Sequence, residues 1–174
     1  MAFDLSRRIA LLGLIASACP FAPLPARAGT LPSPTGRILL TVEGRIDNTN
    51  ADGRAELDRA LLERIGLVEV KTWTPFTEGQ STWRGVRLKD LMTYLGAKGT
   101  TIRATALDLY AIELPVSDVI EHDPFIALEQ DGKALRVRDK GPAWILYPFA
   151  RDRSLDNEEI AGRCVWQLAT ITFQ

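Results

Sequence analysis

The pair Asp131-Gly132, set between apolar runs that hold Leu128 and Leu135, most narrows the folds open to this chain. A two-residue loop of this composition accepts positive φ at both positions, which a tight turn between antiparallel strands requires. At least one hairpin is therefore built into the chain. The rest of the pattern agrees with it. Residues 37–44 read as a strand closed by Gly44, 67–73 alternate apolar and polar side chains, and 101–106, 109–114 and 125–129 read as further short strands. Residues 143–148 are apolar on both faces, and 165–173 close the chain with strand-like alternation. Only two segments show helical spacing. One carries Leu57, Leu61, Leu62 and Ile65, with Asp52 as its expected cap; the other carries Val86, Leu88, Leu91, Met92 and Leu95. Ser117-Asp118 opens a short helical turn. Many short strands and few helices, without regular βαβ alternation, predict an α+β fold with mixed β-sheets.

The N-terminus has the character of an export signal. Arg7-Arg8 precede a short apolar run, and Ala26-Arg27-Ala28 forms a small-x-small processing pattern before Gly29. The expected organisation is a signal peptide over 1–28, a flexible leader over 29–36 and one domain over 37–174, located in the periplasm. Removing the signal takes away Arg7, Arg8, Arg27 and Asp4, so the net charge moves from −1 to about −3. No basic run favours nucleic acid. Cys19 leaves with the signal, and Cys164 is left without a disulfide partner. A single His and a single Cys make a transition-metal site built from protein ligands unexpected. No nucleophile–base pair or close carboxylate pair stands out.

The stretch 72–86 reads as a loop unusually rich in aromatic surface: Trp73, Phe76 and Trp83 among Thr72, Thr74, Thr77, Ser81 and Thr82. Aromatics gathered on a connecting segment have something to pack against, either the core or a flat ligand.

Four blocks in this order resemble the molybdopterin-binding domain of the sulfite oxidase family. They are Trp83-Arg84-Gly85-Val86-Arg87-Leu88-Lys89-Asp90-Leu91-Met92, Ala104-Thr105-Ala106-Leu107-Asp108-Leu109-Tyr110, Asp131-Gly132-Lys133-Ala134-Leu135, and Gly141-Pro142-Ala143-Trp144-Ile145-Leu146-Tyr147-Pro148. The resemblance implies that family's fold. Two departures bear on its chemistry. Where the enzymes hold molybdenum through a cysteine thiolate, this chain has Thr74-Pro75, and a threonine cannot supply a soft ligand. Where they carry a cofactor-contacting arginine, it has Trp144, which offers a stacking face instead.

Small exported proteins of this kind resemble pterin-responsive regulators that accompany membrane GGDEF/EAL receptors. That resemblance implies binding of a free reduced pterin, with the periplasmic domain of such a receptor as partner and cyclic-di-GMP turnover as the output. The alternative is a molybdopterin-dependent oxidoreductase with a non-standard metal site.

A pterin needs an aromatic face and a carboxylate that accepts its N–H donors. Candidate ligand residues are Trp73, Thr74, Asp108, Tyr110 and Trp144, with no catalytic residue and no metal ligand. Each has a structural alternative. Asp108 could cap its own turn, Trp73 and Trp144 could be core, Thr74 could hold its loop, and Tyr110 could pack inward. Trp83 is expected to pack the start of the second helix and Trp166 to be core. His122 reads as solvated. The charged run from Arg151 to Glu159 reads as a solvated face or a docking surface.

Overall fold

The computed structural model describes residues 29–174; the expected signal peptide and Cys19 lie outside them. The described residues form ten strands and four α-helices: β1 (Ile38–Gly44), β2 (Ala55–Asp58), α1 (Arg59–Ile65), β3 (Val68–Trp73), β4 (Gln80–Arg87), α2 (Leu88–Leu95), β5 (Thr101–Ala106), β6 (Ala111–Pro115), α3 (Val116–Glu121), β7 (Phe125–Gln130), β8 (Lys133–Ala134), β9 (Trp144–Leu146), α4 (Glu158–Gly162) and β10 (Leu168–Phe173).

Two sheets result, the first mixed and the second wholly antiparallel. The first runs β2-β1-β10-β5-β6, with β1 and β10 parallel and the other pairs antiparallel. The second runs β3-β4-β7, with β8 and β9 both pairing β7. This is the α+β architecture that the sequence predicts. The Asp131-Gly132 turn forms as expected, with φ of 47° and 73°, and joins β7 to β8. Residues 144–146 are buried throughout, which accounts for a strand apolar on both faces.

Three expectations fail for identifiable reasons. Leu57 shares helical spacing with Leu61, yet it lies in β2, and the helix begins only at Arg59. Its cap is Asp58, not Asp52: the Asp58 Oδ1 accepts the Leu61 N–H at 2.9 Å, while Oδ2 accepts from Thr35 and Gly36 at 2.7 and 2.8 Å. Those last two bonds fasten the expected leader, and Leu31 within it is buried. The third failure concerns the aromatic stretch. Its second half is β4, paired residue for residue with β3 from Val68↔Gly85 to Trp73↔Gln80. Trp83 is therefore buried in a strand, its indole N–H donating to the Thr72 carbonyl at 3.1 Å, and the true loop is only 74–79.

Gly85 shows how closely this sheet is drawn together. A Cβ there would lie 2.0 Å from the Ile126 carbonyl oxygen of β7, so only glycine fits. The ridge Leu88, Leu91 and Leu95 buries one face of α2. Gly96, in the left-handed region at φ 60°, ends that helix and donates its N–H to the Met92 and Thr93 carbonyls.

Candidate functional site

A cleft of about 490 Å³ opens where three segments converge: the β5–β6 turn, the 74–79 loop and the stretch from α4 to β10. Its lining is mostly apolar. Phe76, Tyr110 and Trp166 supply aromatic wall, Cys164 and Val165 the floor, and Asp108 and Glu158 the only charged side chains.

Hydrogen bonding fixes each of these segments. The β5–β6 turn is closed by Ala106 N–H donating to the Tyr110 carbonyl at 2.8 Å and Leu109 N–H to the Ala106 carbonyl at 3.1 Å. Asp108 Oδ1 accepts the Tyr110 N–H at 3.0 Å, the turn-capping role expected as its structural alternative. A carboxylate has two oxygens, so Oδ2 remains for another donor. On the opposite wall Asn157 caps α4, its Oδ1 accepting from Ile160 N–H at 2.9 Å, and this seats Glu158 at the rim. Gln167 ties the walls together. Its carbonyl accepts the Leu107 N–H at 2.9 Å, its N–H donates to the Lys140 carbonyl at 2.9 Å, and its side-chain amide donates to the Val137 carbonyl at 2.8 Å.

Of the five sequence-derived ligand residues, Asp108 and Tyr110 line this cleft together, and both are exposed. The other three do not line it. Trp73 alternates away from Thr72 and packs on Phe149, with centroids 5.1 Å apart. Thr74 is buried, and its hydroxyl is engaged within the loop, 2.8 Å from the Thr77 hydroxyl and accepting from Phe76 N–H. Trp144 is 1% exposed and sits behind the wall, against Phe76 at 6.1 Å, Trp166 at 6.4 Å and Trp83 at 5.4 Å. The aromatic faces at the cleft are instead Phe76 and Trp166. Trp166, expected as core, is 40% exposed because the chain bends at Gln167, φ 50°, before β10 begins. A Trp one residue ahead of a Gln at a strand start gives no sequence signal for that bend.

Lys140 completes the aromatic group from behind, its Nζ 5.6 Å from the Trp166 ring centroid and 5.8 Å from that of Trp144. His122, expected as solvated, is half-buried with its ring 6.4 Å from Tyr147. The charged run 151–159 contains a 3₁₀ turn and the start of α4, so part of it forms the cleft rim.

A second polar group lies apart from the cleft. Asp118 Oδ2 accepts from the Tyr147 hydroxyl and from Arg163 Nη1, both at 2.7 Å. Burial first, and Asp118 second, raise the tyrosine's pKa well above its usual value. This network serves packing: all three side chains are engaged with one another.

The donor set does not fit a molybdenum-bearing cofactor. The single thiol near the cleft, Cys164, is 3% exposed and donates to the Ile160 carbonyl at 3.5 Å, and burial pushes its pKa up to about 12. The thiol is turned away from the opening into a bond with its own helix segment, protonated at neutral pH. A molybdopterin phosphate would also meet Asp108 and Glu158 where it needs cations. Among the described residues no three His, Cys, Asp or Glu side chains converge on a point. A flat heteroaromatic without phosphate suits the aromatic walls and the free carboxylate oxygens.

Among curated proteins no sequence relative matches. Among solved structures the chain is similar to the sulfane dehydrogenase SoxCD from Paracoccus pantotrophus, with a TM-score of 0.57 and 16% identity over 78% of this chain. The chain spans 37% of that protein's length, and at this identity the likeness is one of fold. The model of the oxidoreductase molybdopterin binding domain matches residues 48–150, which run from the β1–β2 connection past β9 and take in the 74–79 loop and the Asp108 turn. With more than half its length matched and the sulfite-oxidase-type fold in place, this chain belongs to the oxidoreductase molybdopterin binding domain family.

Proposed function

We infer that this protein is a binding module for a free reduced pterin, exported to the periplasm, which reports the ligand to a membrane GGDEF/EAL receptor that controls cyclic-di-GMP. The observation that carries the reading is the cleft itself: aromatic walls, carboxylates as its only charges, and no available thiolate. A pterin ring stacked on the aromatic wall that Phe76 and Trp166 form together would present its N–H edge to Asp108. Charge-assisted hydrogen bonds of that kind contribute roughly 1.5–3 kcal/mol each in a partly buried site. Membership of a family named for molybdopterin keeps one alternative open, an oxidoreductase carrying that cofactor in a geometry unlike the one described.

The experiment is mass spectrometry and molybdenum analysis of what co-purifies with the full-length protein after expression and export, beside an Asp108→Asn variant. Asparagine keeps an oxygen for the Tyr110 N–H, so the turn survives while the charge is lost. A pterin without molybdenum, retained by the wild type and lost from the variant, supports the reading. Stoichiometric molybdenum overturns it in favour of the oxidoreductase.

A further inference from the structure

Among the described residues six large apolar side chains are markedly exposed: Leu107, Leu109, Tyr110, Ile120, Val137 and Trp166. All but Ile120 belong to segments that Gln167 stitches together, through its bonds to Leu107 N–H and the Val137 carbonyl and its place beside Trp166. Scattered apolar residues need no explanation, but a set tied through one residue, with Tyr110 and Trp166 on the wall of a cleft that also holds Asp108 and Glu158, does.

Leu109 sharpens the point. It is 83% exposed and lies in the left-handed region at φ 70°, where glycine or asparagine would sit without strain. The folded chain gains neither packing nor backbone relief from a leucine there. Strain retained without a structural return marks functional surface.

We propose that this apolar collar is the docking surface for a partner polypeptide segment with an apolar centre and a flanking Lys or Arg that pairs with Glu158. Charge selects this occupant. On the Val137 side Arg136 and Arg138 both face Asp139, at 2.5 and 3.9 Å, and Lys140 lies against the rear of the Trp166 ring at 5.6 Å, whereas among the described residues the exposed Asp108 and Glu158 have no ion-pair partner. A second copy packed symmetrically through Leu109 would bring the two Asp108 carboxylates together, and an anionic lipid surface would be repelled by the same groups. The inference rests on the binding-module reading in one respect: Tyr110 and Trp166 are both cleft wall and collar, so a ligand in the cleft alters the surface the partner meets. Partner and ligand then change each other's affinity by the same factor.

The test places a photo-crosslinking benzophenone amino acid at position 109 of the full-length protein, expressed in a bacterium that exports it. Position 120, labelled in the same way in a separate culture, serves as the control. The crosslinked peptide is then sequenced. The expected result is a crosslink from position 109, absent from 120, to a segment of another protein with apolar residues beside Lys or Arg. Glu158→Lys should reduce its yield about tenfold, the scale of a central interface contact. A crosslink to another copy of this chain, to lipid, to a segment without basic residues, or to nothing overturns the proposal. Cells unable to make pterin separate the two ideas: an unchanged crosslink there counts against pterin reporting and leaves the docking surface standing.

Discussion

Phe76 and Trp166 meet edge to face, their ring centroids 5.3 Å apart at 72°. The contact carries the loop between β3 and β4 across to the segment that leads into β10, so a hairpin of one sheet meets the approach to a central strand of the other at the cleft wall. Both rings are only partly covered, and each keeps surface free for a ligand.

Phe76→Ala should therefore weaken binding of a reduced pterin about tenfold, on the scale of one aromatic contact and the area it buries. Titration followed by tryptophan fluorescence measures it, with Trp166 as the reporting ring. The fold should persist, since Phe76 lies at the edge of the core. An unchanged dissociation constant would place the ligand elsewhere.

Asp58 links the start of α1 to the 29–36 segment, and Asp58→Ala should cost about 2 kcal/mol in urea unfolding, the upper range for a helix cap. Its pKa is held below the ordinary carboxylate value, chiefly by the Leu61 N–H, with Gly36 and Thr35 adding to the effect against the opposing influence of burial. A carboxyl whose folded pKa is depressed stabilises the protein above its unfolded pKa, and that contribution is lost as pH falls through the folded value. The gap between wild type and variant should be constant above about pH 5 and narrow as the pH drops below about 3.9.

Cys164 should resist alkylation by iodoacetamide at pH 7–8 in the folded protein and react at once in denaturant. Burial keeps the thiol protonated across that range, and its pKa of about 12 leaves little thiolate. Because Cys164 lines the cleft floor, ligand should slow labelling further. Rapid labelling of the native protein would show that the α4 segment opens readily.

Gly85→Ala should destabilise the protein by about 2 kcal/mol or more, within the range for overpacking a core. The added methyl meets the Ile126 carbonyl, a backbone atom that cannot turn aside. The unfolding midpoint in urea reads the loss directly.

The pattern of strands was legible in the sequence wherever alternation and turn chemistry agreed, as at β3, at the Asp131-Gly132 hairpin and at the wholly buried β9. It was misleading where one leucine satisfied two periods: Leu57 fits the helical series of α1 but serves β2. Two residues of the cleft lining, Asp108 and Tyr110, stand at or beside a junction between strands that the local pattern reveals. Trp166 is not so revealed, because its exposure follows from a positive φ at Gln167 and from long-range bonds to Lys140 and Leu107 that no local pattern encodes. Trp73 and Trp144 show the converse: adjacency to a site in sequence does not decide which side of a strand faces it.

The parallel pairing of β1 with β10 joins Thr41 to Thr170 and Gly44 to Phe173. On the ribosome, then, the first strand emerges long before its neighbour exists, and β5 and β6 must also wait for β10 to bridge them to β1 and β2. The first sheet is assembled only once β10 has been made, so chains lacking it should stay soft and vulnerable to proteases until that strand arrives.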